Sequence, residues 1–253
     1  MRKPLIAGNW KMYGSAEKVR SFIKDFSVPE EAIASREILI CPPFTSLATW
    51  REHSAAKPYL QLGAQDVYWE KDGAFTGEIS PVMLKDAGCA YCVVGHSERR
   101  QYFGETDVSV NRKMHALLEA GVKPIVCVGE TLKEREAGKT EEVLRRQINC
   151  SVFALDDAAY LKEIVIAYEP VWAIGTGKTA TSEQANEACG FIRLLLRDRL
   201  GAPADDSIRI LYGGSVNPKN IDELMALPEV DGVLVGGASL KAADFSRIAA
   251  YEV

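Results

Sequence analysis

The sequence has no long hydrophobic run. No apolar stretch approaches the ~18 residues that suggest a membrane span, so no membrane partner is expected. It also has no excess of positive charge. Its 30 Lys and Arg against 35 Asp and Glu leave a formal net charge of −5, which offers no electrostatic footprint for nucleic acid or an anionic lipid surface. Met1-Arg2-Lys3-Pro4 leads straight into a strand-like run, without the apolar stretch and small-residue cleavage site of a secretory signal. A cytoplasmic location is expected. Disulfides are not expected in such a chain, and its six cysteines are scattered. Cys89 and Cys92 have the C-x-x-C spacing of a redox pair. Cys92, however, lies in a buried strand pattern, and no second pair completes a zinc site. No linker, low-complexity tract or charge block divides the 253 residues, of which 47% are hydrophobic and 26% charged. Residues 1–253 therefore read as one domain.

What is present is a repeated alternation. Short apolar runs occur at Leu5–Gly8, Ile38–Cys41, Leu60–Ala64, Ala90–Gly95, Val122–Gly129, Ile164–Tyr168, Ile208–Gly213 and Val230–Gly236. Several are apolar at nearly every position, as strands buried on both faces are. Amphipathic stretches lie between them. In Glu17–Phe26, the residues Val19, Phe22, Ile23 and Phe26 share one helix face. Val108–Ala120 and Glu183–Leu200 follow the same pattern. The last carries a stripe of Ala185, Ala188, Cys189, Ile192, Leu195 and Leu196, with Thr181 or Ser182 to cap its start and Gly201 with Pro203 to end it. Strands alternating with helices imply parallel βα units. Eight such units in about 250 residues fit a (β/α)8 barrel, with an open doubly wound sheet as the alternative.

In a parallel barrel, functional residues follow the C-terminal ends of strands. Asn9-Trp10-Lys11 follow the first run, and His96-Ser97-Glu98-Arg99-Arg100 the fourth. Glu169 and the segment to Lys178 follow the sixth, Gly213-Gly214-Ser215 the seventh, and Gly236-Gly237-Ala238-Ser239 the eighth. Glycine turns let backbone N–H groups approach a ligand closely. Next to a helix start they suit a phosphate, although each pair alone could be a simple tight turn. Glu169, at the mouth of an apolar strand, is expected to be desolvated, with a raised pKa, and to serve as a base. His96 precedes an expected helix start capped by Ser97, where the positive helix end favours a neutral imidazole. Lys11 can serve as a counter-charge to a phosphate, and Asn9 can orient a carbonyl oxygen. Pro170, Val171, Trp172, Ala173, Ile174, Gly175, Thr176, Gly177 and Lys178 read as a lid with a stiff entry and a glycine-containing tip. His53 and His115 lie in helical stretches and read as structural.

Seven stretches carry a resemblance. They are Gly8–Met12, Gly73–Glu78, Gly95–Arg100, Cys127–Thr131, Ala167–Lys178, Tyr212–Val216 and Val235–Leu240. In that order the chain resembles the triosephosphate isomerase family from end to end. The resemblance implies a (β/α)8 fold and interconversion of dihydroxyacetone phosphate and glyceraldehyde 3-phosphate, with no cofactor and no metal. It implies that Glu169 is the base, that His96 and Lys11 are electrophiles and that Asn9 places the substrate. By the same resemblance Glu98 holds Lys11, and Gly175, Ser215, Gly236 and Gly237 bind the phosphate. Tyr212 and Ser215 latch the lid, while Ile174 and Leu234 press on Glu169. The neutral histidine and the closing lid are known features of this family rather than deductions from these residues. The family is typically homodimeric, and Phe75-Thr76-Gly77-Glu78 resembles the loop that inserts into the partner near Met12 and Lys11. Tyr13 stands where the family usually has asparagine. Two rival readings remain. A Schiff-base aldolase would need a desolvated lysine on the middle strands, and a barrel that only binds phosphate would need no base.

Overall fold

The computed structural model describes residues 2–154, 163–174, 180–201 and 207–253. Eight strands form a closed parallel barrel. They are β1 (Leu5–Asn9), β2 (Glu37–Cys41), β3 (Leu60–Ala64), β4 (Tyr91–Val94), β5 (Lys123–Val128), β6 (Val165–Tyr168), β7 (Arg209–Tyr212) and β8 (Gly232–Val235). Closure is made by β8 pairing with β1, with Leu5 opposite Gly232 and Gly8 opposite Val235. An open doubly wound sheet would leave those edges free. The expected barrel is therefore the one found; β1 and β2 are each one residue longer than expected, β3 is as expected, and β4 to β8 are trimmed by a residue or two at one or both ends.

Strand alternation explains why the runs read as continuously apolar. Leu5, Ala7, Leu39, Cys41, Tyr91, Val93, Ile125, Cys127, Val165, Ala167 and Leu211 fill the barrel interior as one cluster. Their neighbours Ile6, Ile38, Ile40, Cys92, Val94, Val126 and Ile166 belong to a second cluster beneath the helices. Both strand faces are buried, so both are mostly apolar away from the strand ends. The helices match their stripes. Val19, Phe22 and Ile23 are buried on the helix Ala16–Asp25. All six stripe residues are buried on Ser182–Leu200, which Thr181 caps in a capping box with Gln184 and Gly201 ends at φ 78°. Ser182 is the first helical residue rather than the cap, and Pro203 lies outside the described residues. Cys89 and Cys92 are both buried. Burial pushes the Cys89 thiol up to about 12 and Cys92 further still. Neither has the lowered pKa of a redox thiol.

The N-terminal end of the barrel is closed by a polar cluster. The Tyr91 hydroxyl donates to Glu37 Oε2 at 2.5 Å and accepts from Arg209 Nη2 at 2.8 Å, while Arg209 Nη1 lies 3.3 Å from Glu37 Oε1. Burial alone would raise the Glu37 pKa, but Tyr91 and Arg209 together hold it below the ordinary 4.5. A lowered carboxylate contributes stability that is fully present above its unfolded value and is lost as pH falls through its folded one. Glu37→Gln is therefore expected to cost about 1–2 kcal/mol at neutral pH, allowing for solvent screening. It should also flatten the loss of stability below pH 4.5. Urea unfolding at pH 7 and pH 4 checks this, and an equal deficit at both values would refute the linkage.

Candidate active site

The strand ends open into a cavity of about 650 Å3. The side chains singled out from the sequence converge on it. Asn9 ends β1, and Lys11 follows two residues later at φ 51°, the only positive φ among described non-glycine residues. Asn9 and Gln65 hold that strained turn from both sides. Asn9 Oδ1 accepts the Lys11 N–H at 2.9 Å, and Gln65 Nε2 donates to the Lys11 carbonyl at 2.8 Å. Sparse backbone conformations of this kind persist where the surroundings fix them. The Lys11 ammonium donates to Glu98 Oε1 at 2.7 Å.

His96 and Glu169 meet across the mouth. His96 Nε2 lies 3.1 Å from Glu169 Oε1, and the Ser97 N–H donates to Glu169 Oε2 at 3.0 Å. Both groups are nearly inaccessible, at 5% and 2% exposure. The helix Ser97–Tyr102 is capped by His96 itself, not by Ser97: Nδ1 accepts the Glu98 N–H at 3.2 Å. With the Nδ1 lone pair occupied, the ring proton sits on Nε2 and points at Glu169.

The electrostatics differ from the sequence expectation. Burial does push Glu169 up, but His96, the Ser97 amide and Lys11 outweigh it and hold the carboxyl below the ordinary 4.5. Correspondingly, burial pushes His96 down, yet the Glu169 carboxylate pulls it above 6.5. In this resting arrangement the base is masked by its partner. A second proton, on Nδ1, would have to displace the Glu98 N–H, so the geometry holds the neutral Nε2–H tautomer against that pull.

The glycine turns line the same cavity, through Gly213, Gly214, Ser215, Gly236 and Gly237; a Cβ on Gly213 would fall 2.9 Å from Glu169 Cγ, and one on Gly236 3.6 Å from Lys11 Cε. Gly237–Leu240 is a single 3-10 turn, and the helix Ala242–Ala249 begins only after it. The helix start expected directly at the glycine pair is therefore a short turn. Leu234, Ala173 and Ile174 also line the cavity. Val171–Ala173 forms a 3-10 turn after Pro170. Gly175, Thr176, Gly177 and Lys178 lie outside the described residues, and so does the phosphate contact expected of Gly175. The Tyr212 hydroxyl is buried beneath Gly214, where a Cβ would fall 2.2 Å from it. It makes no full hydrogen bond among the described residues, and burial pushes it up to about 12 despite the nearby Ser215 amide.

Two residues were passed over in the sequence reading. Glu130, fully buried, follows β5. It accepts from the Tyr168 hydroxyl at 3.1 Å, Trp172 Nε1 at 2.9 Å and Arg135 Nη1 at 3.1 Å, tying down the entry to the lid segment. The rule that singled out Glu169 after β6 also points to a carboxylate after β5. Gly129 gave no such signal. A Cβ there would fall 1.8 Å from the Glu169 carbonyl oxygen, so only glycine lets the base's backbone pass. The middle strands are not free of lysine, but Lys123 opens β5 at the opposite end of the barrel and pairs with Glu163 at 2.9 Å. It cannot reach the cavity, which removes the structural basis for a Schiff-base aldolase.

A carboxylate, an imidazole and an ammonium, gathered with glycine turns at the C-terminal mouth of a closed parallel barrel, define a (β/α)8 enzyme site built for proton transfer on a small anionic molecule. A family model described as triosephosphate isomerase matches residues 4–252. Proteins named triosephosphate isomerase align with the whole chain: 50% identical from Syntrophotalea carbinolica, over 99% of that protein, and 52% identical from both Moorella thermoacetica and Geobacter metallireducens, over all of each. The chain belongs to the triosephosphate isomerase family.

Proposed function

We propose that this chain interconverts dihydroxyacetone phosphate and D-glyceraldehyde 3-phosphate through an enediolate. The observation that carries the reading is the 3.1 Å contact between His96 Nε2 and Glu169 Oε1, made in the cavity that Lys11 also lines. In this mechanism the substrate draws the Glu169 carboxylate away from His96 and Ser97. Oxygen Oε1 or Oε2 then takes a proton from the carbon next to the carbonyl. The electron pair moves onto the carbonyl oxygen, which the His96 Nε2–H and the Lys11 ammonium stabilise as charge develops. The same carboxyl returns the proton to the adjacent carbon, while the hydroxyl proton of the enediolate passes to the former carbonyl oxygen by way of His96 Nε2, so that the second oxygen becomes the new carbonyl. Once Glu169 has moved, His96 loses the charge that raised its pKa. Burial and Lys11, which both lower it, remain, opposed by Glu98. The imidazole then stays neutral and donates, as the sequence suggested.

Ser215, Gly236 and Gly237, which line the same cavity, support phosphate anchoring, which fixes orientation with a non-reacting group. Asn9 orients the substrate beside Lys11. Ile174 and Leu234 press on Glu169 when the lid closes, and Tyr212 and Ser215 latch it. The whole chain, residues 1–253, acts as one barrel domain. The ammonium and imidazole supply the electrophilic assistance, so EDTA is expected to leave the rate unchanged. Isomerisation of glyceraldehyde 3-phosphate by the purified protein tests the reading. Rapid turnover in EDTA supports it, and no turnover by folded protein would overturn it.

A homodimer and a cytoplasmic setting belong to the same reading. Met12 is 93% exposed. Tyr13, Phe75, Val82, Met83, Tyr102 and Phe103 are also exposed, side chains that a second copy would cover. Phe75–Glu78 is the segment proposed to enter the partner beside Met12. No helix among the described residues is long and apolar enough to cross a membrane.

A further inference from the structure

Behind the side chains that face the cavity, one guanidinium joins the end of β4, which carries the histidine, to the end of β5, against which the backbone of the base is hydrogen-bonded. Arg100 sits on the helix Ser97–Tyr102 and uses all three of its nitrogens. Nε donates to the Gly95 carbonyl at 2.7 Å, Nη2 to the Cys127 carbonyl at 3.2 Å, and Nη1 to Asp107 Oδ1 at 2.6 Å. Gly95 immediately precedes His96. Cys127 immediately precedes Val128, whose carbonyl accepts the Glu169 N–H at 2.7 Å. Asp107 is itself anchored, accepting from the Ser151 hydroxyl at 3.4 Å and lying 3.5 Å from Arg146.

The backbone is shaped to admit this group. Gly95 lies at φ 72°, and a Cβ there would fall 2.9 Å from Arg100 Nη2 and 3.1 Å from the Cys127 carbonyl. A planar fork of fixed donors can hold two carbonyls and a carboxylate in one geometry, whereas an ammonium acts as a single point charge. Arg100 and Asp107 are only 17% exposed.

We propose that Arg100, oriented by Asp107, is a positioning residue: it brackets the ends of β4 and β5 and so sets the separation of His96 from Glu169. It touches neither substrate nor reacting atoms. The inference rests on the reading of Glu169 as base and His96 as electrophile. A misplacement of about 1 Å can cost on the order of 10²-fold in rate, so loss of the bracket should appear in kcat rather than in substrate binding.

The test compares Arg100→Lys, Arg100→Met and Asp107→Asn with the parent. Arg146→Gln serves as a control that removes only an outer contact. Arg100→Lys is expected to lower kcat about 10- to 100-fold with KM within about threefold, with a smaller loss of the same kind in Asp107→Asn. The His96 Nε2–H proton resonance, identified by its loss in His96→Gln, should shift or broaden in the unliganded variants and stay put in Arg146→Gln. An unchanged resonance and kcat within twofold in the folded variants would overturn the proposal, even if they melt at lower temperature. A rise in KM alone would do the same. If Arg100 variants do not fold, Asp107→Asn decides. If the parent itself is inactive, the isomerase reading fails, and the resonance still tests the bracket.

Discussion

Replacing Glu169 with glutamine should lower kcat by about 10³- to 10⁴-fold, at the upper end of what a positioned base contributes. The substitution keeps the shape and removes the proton acceptor. It also disturbs the resting site in a defined way. Glu169 now accepts from two donors, the His96 Nε2–H at 3.1 Å and the Ser97 N–H at 3.0 Å. An amide has one oxygen for those two donors, so one contact is lost or the imidazole changes tautomer. Binding of the phosphate end should change little, because Ser215, Gly236 and Gly237, the groups proposed to hold it, are not the ones that bond the Glu169 carboxylate. Steady-state kinetics with glyceraldehyde 3-phosphate measures the effect. Solvent deuterium uptake into recovered substrate should fall in step with kcat. A variant within tenfold of the parent, or one that still exchanges the proton at the parent's rate, would remove Glu169 from the role of base.

The second large effect is expected at Lys11. Lys11→Met should lower kcat/KM by at least about 10²- to 10³-fold, the scale for losing a donor aimed at developing negative charge. Its ammonium is held 2.7 Å from Glu98 Oε1, and Glu98 Oε2 in turn lies 3.6 Å from His96 Nδ1. Removing the ammonium therefore also leaves a carboxylate beside the imidazole without its counter-charge. Lys11 lowers the His96 pKa and Glu98 raises it, so His96 should titrate at higher pH in Lys11→Met. The acid limb of kcat/KM would then move upward. Adding Glu98→Gln should move that limb back without restoring the rate, a non-additive pair as expected for groups in one network. Rates across pH 5–9 for the four proteins of this cycle check the argument. An unmoved limb, or a Lys11→Met variant within tenfold of the parent, would contradict it.

Part of this site could be read before any coordinates existed. Asn9, Lys11, His96 and Glu169 each follow a strand-like run, and a parallel barrel collects such residues on one face. Other features could not be read, because they depend on groups distant in sequence. Glu169 was expected to have a raised pKa from burial alone. Its burial is real, but the ring of His96 and the amide of Ser97, both far away along the chain, reverse the sign. Ser97 looked like the natural cap by residue type, yet the backbone turn gives that task to the His96 ring. Gly129 looked like the end of a strand until the Glu169 backbone was found against its α-carbon.

The sequence by itself determined the parallel βα units. Strands apolar on both faces, separated by one-sided helices, bury that surface in a parallel sheet covered by helices. Tertiary structure decided that the sheet closes, through the pairing of β8 with β1. It also decided the protonation of the base, which depends on groups such as the Ser97 amide 72 positions away, and the tautomer of the histidine, which depends on where a backbone turn places the Glu98 N–H. Local periodicity carries no information about either.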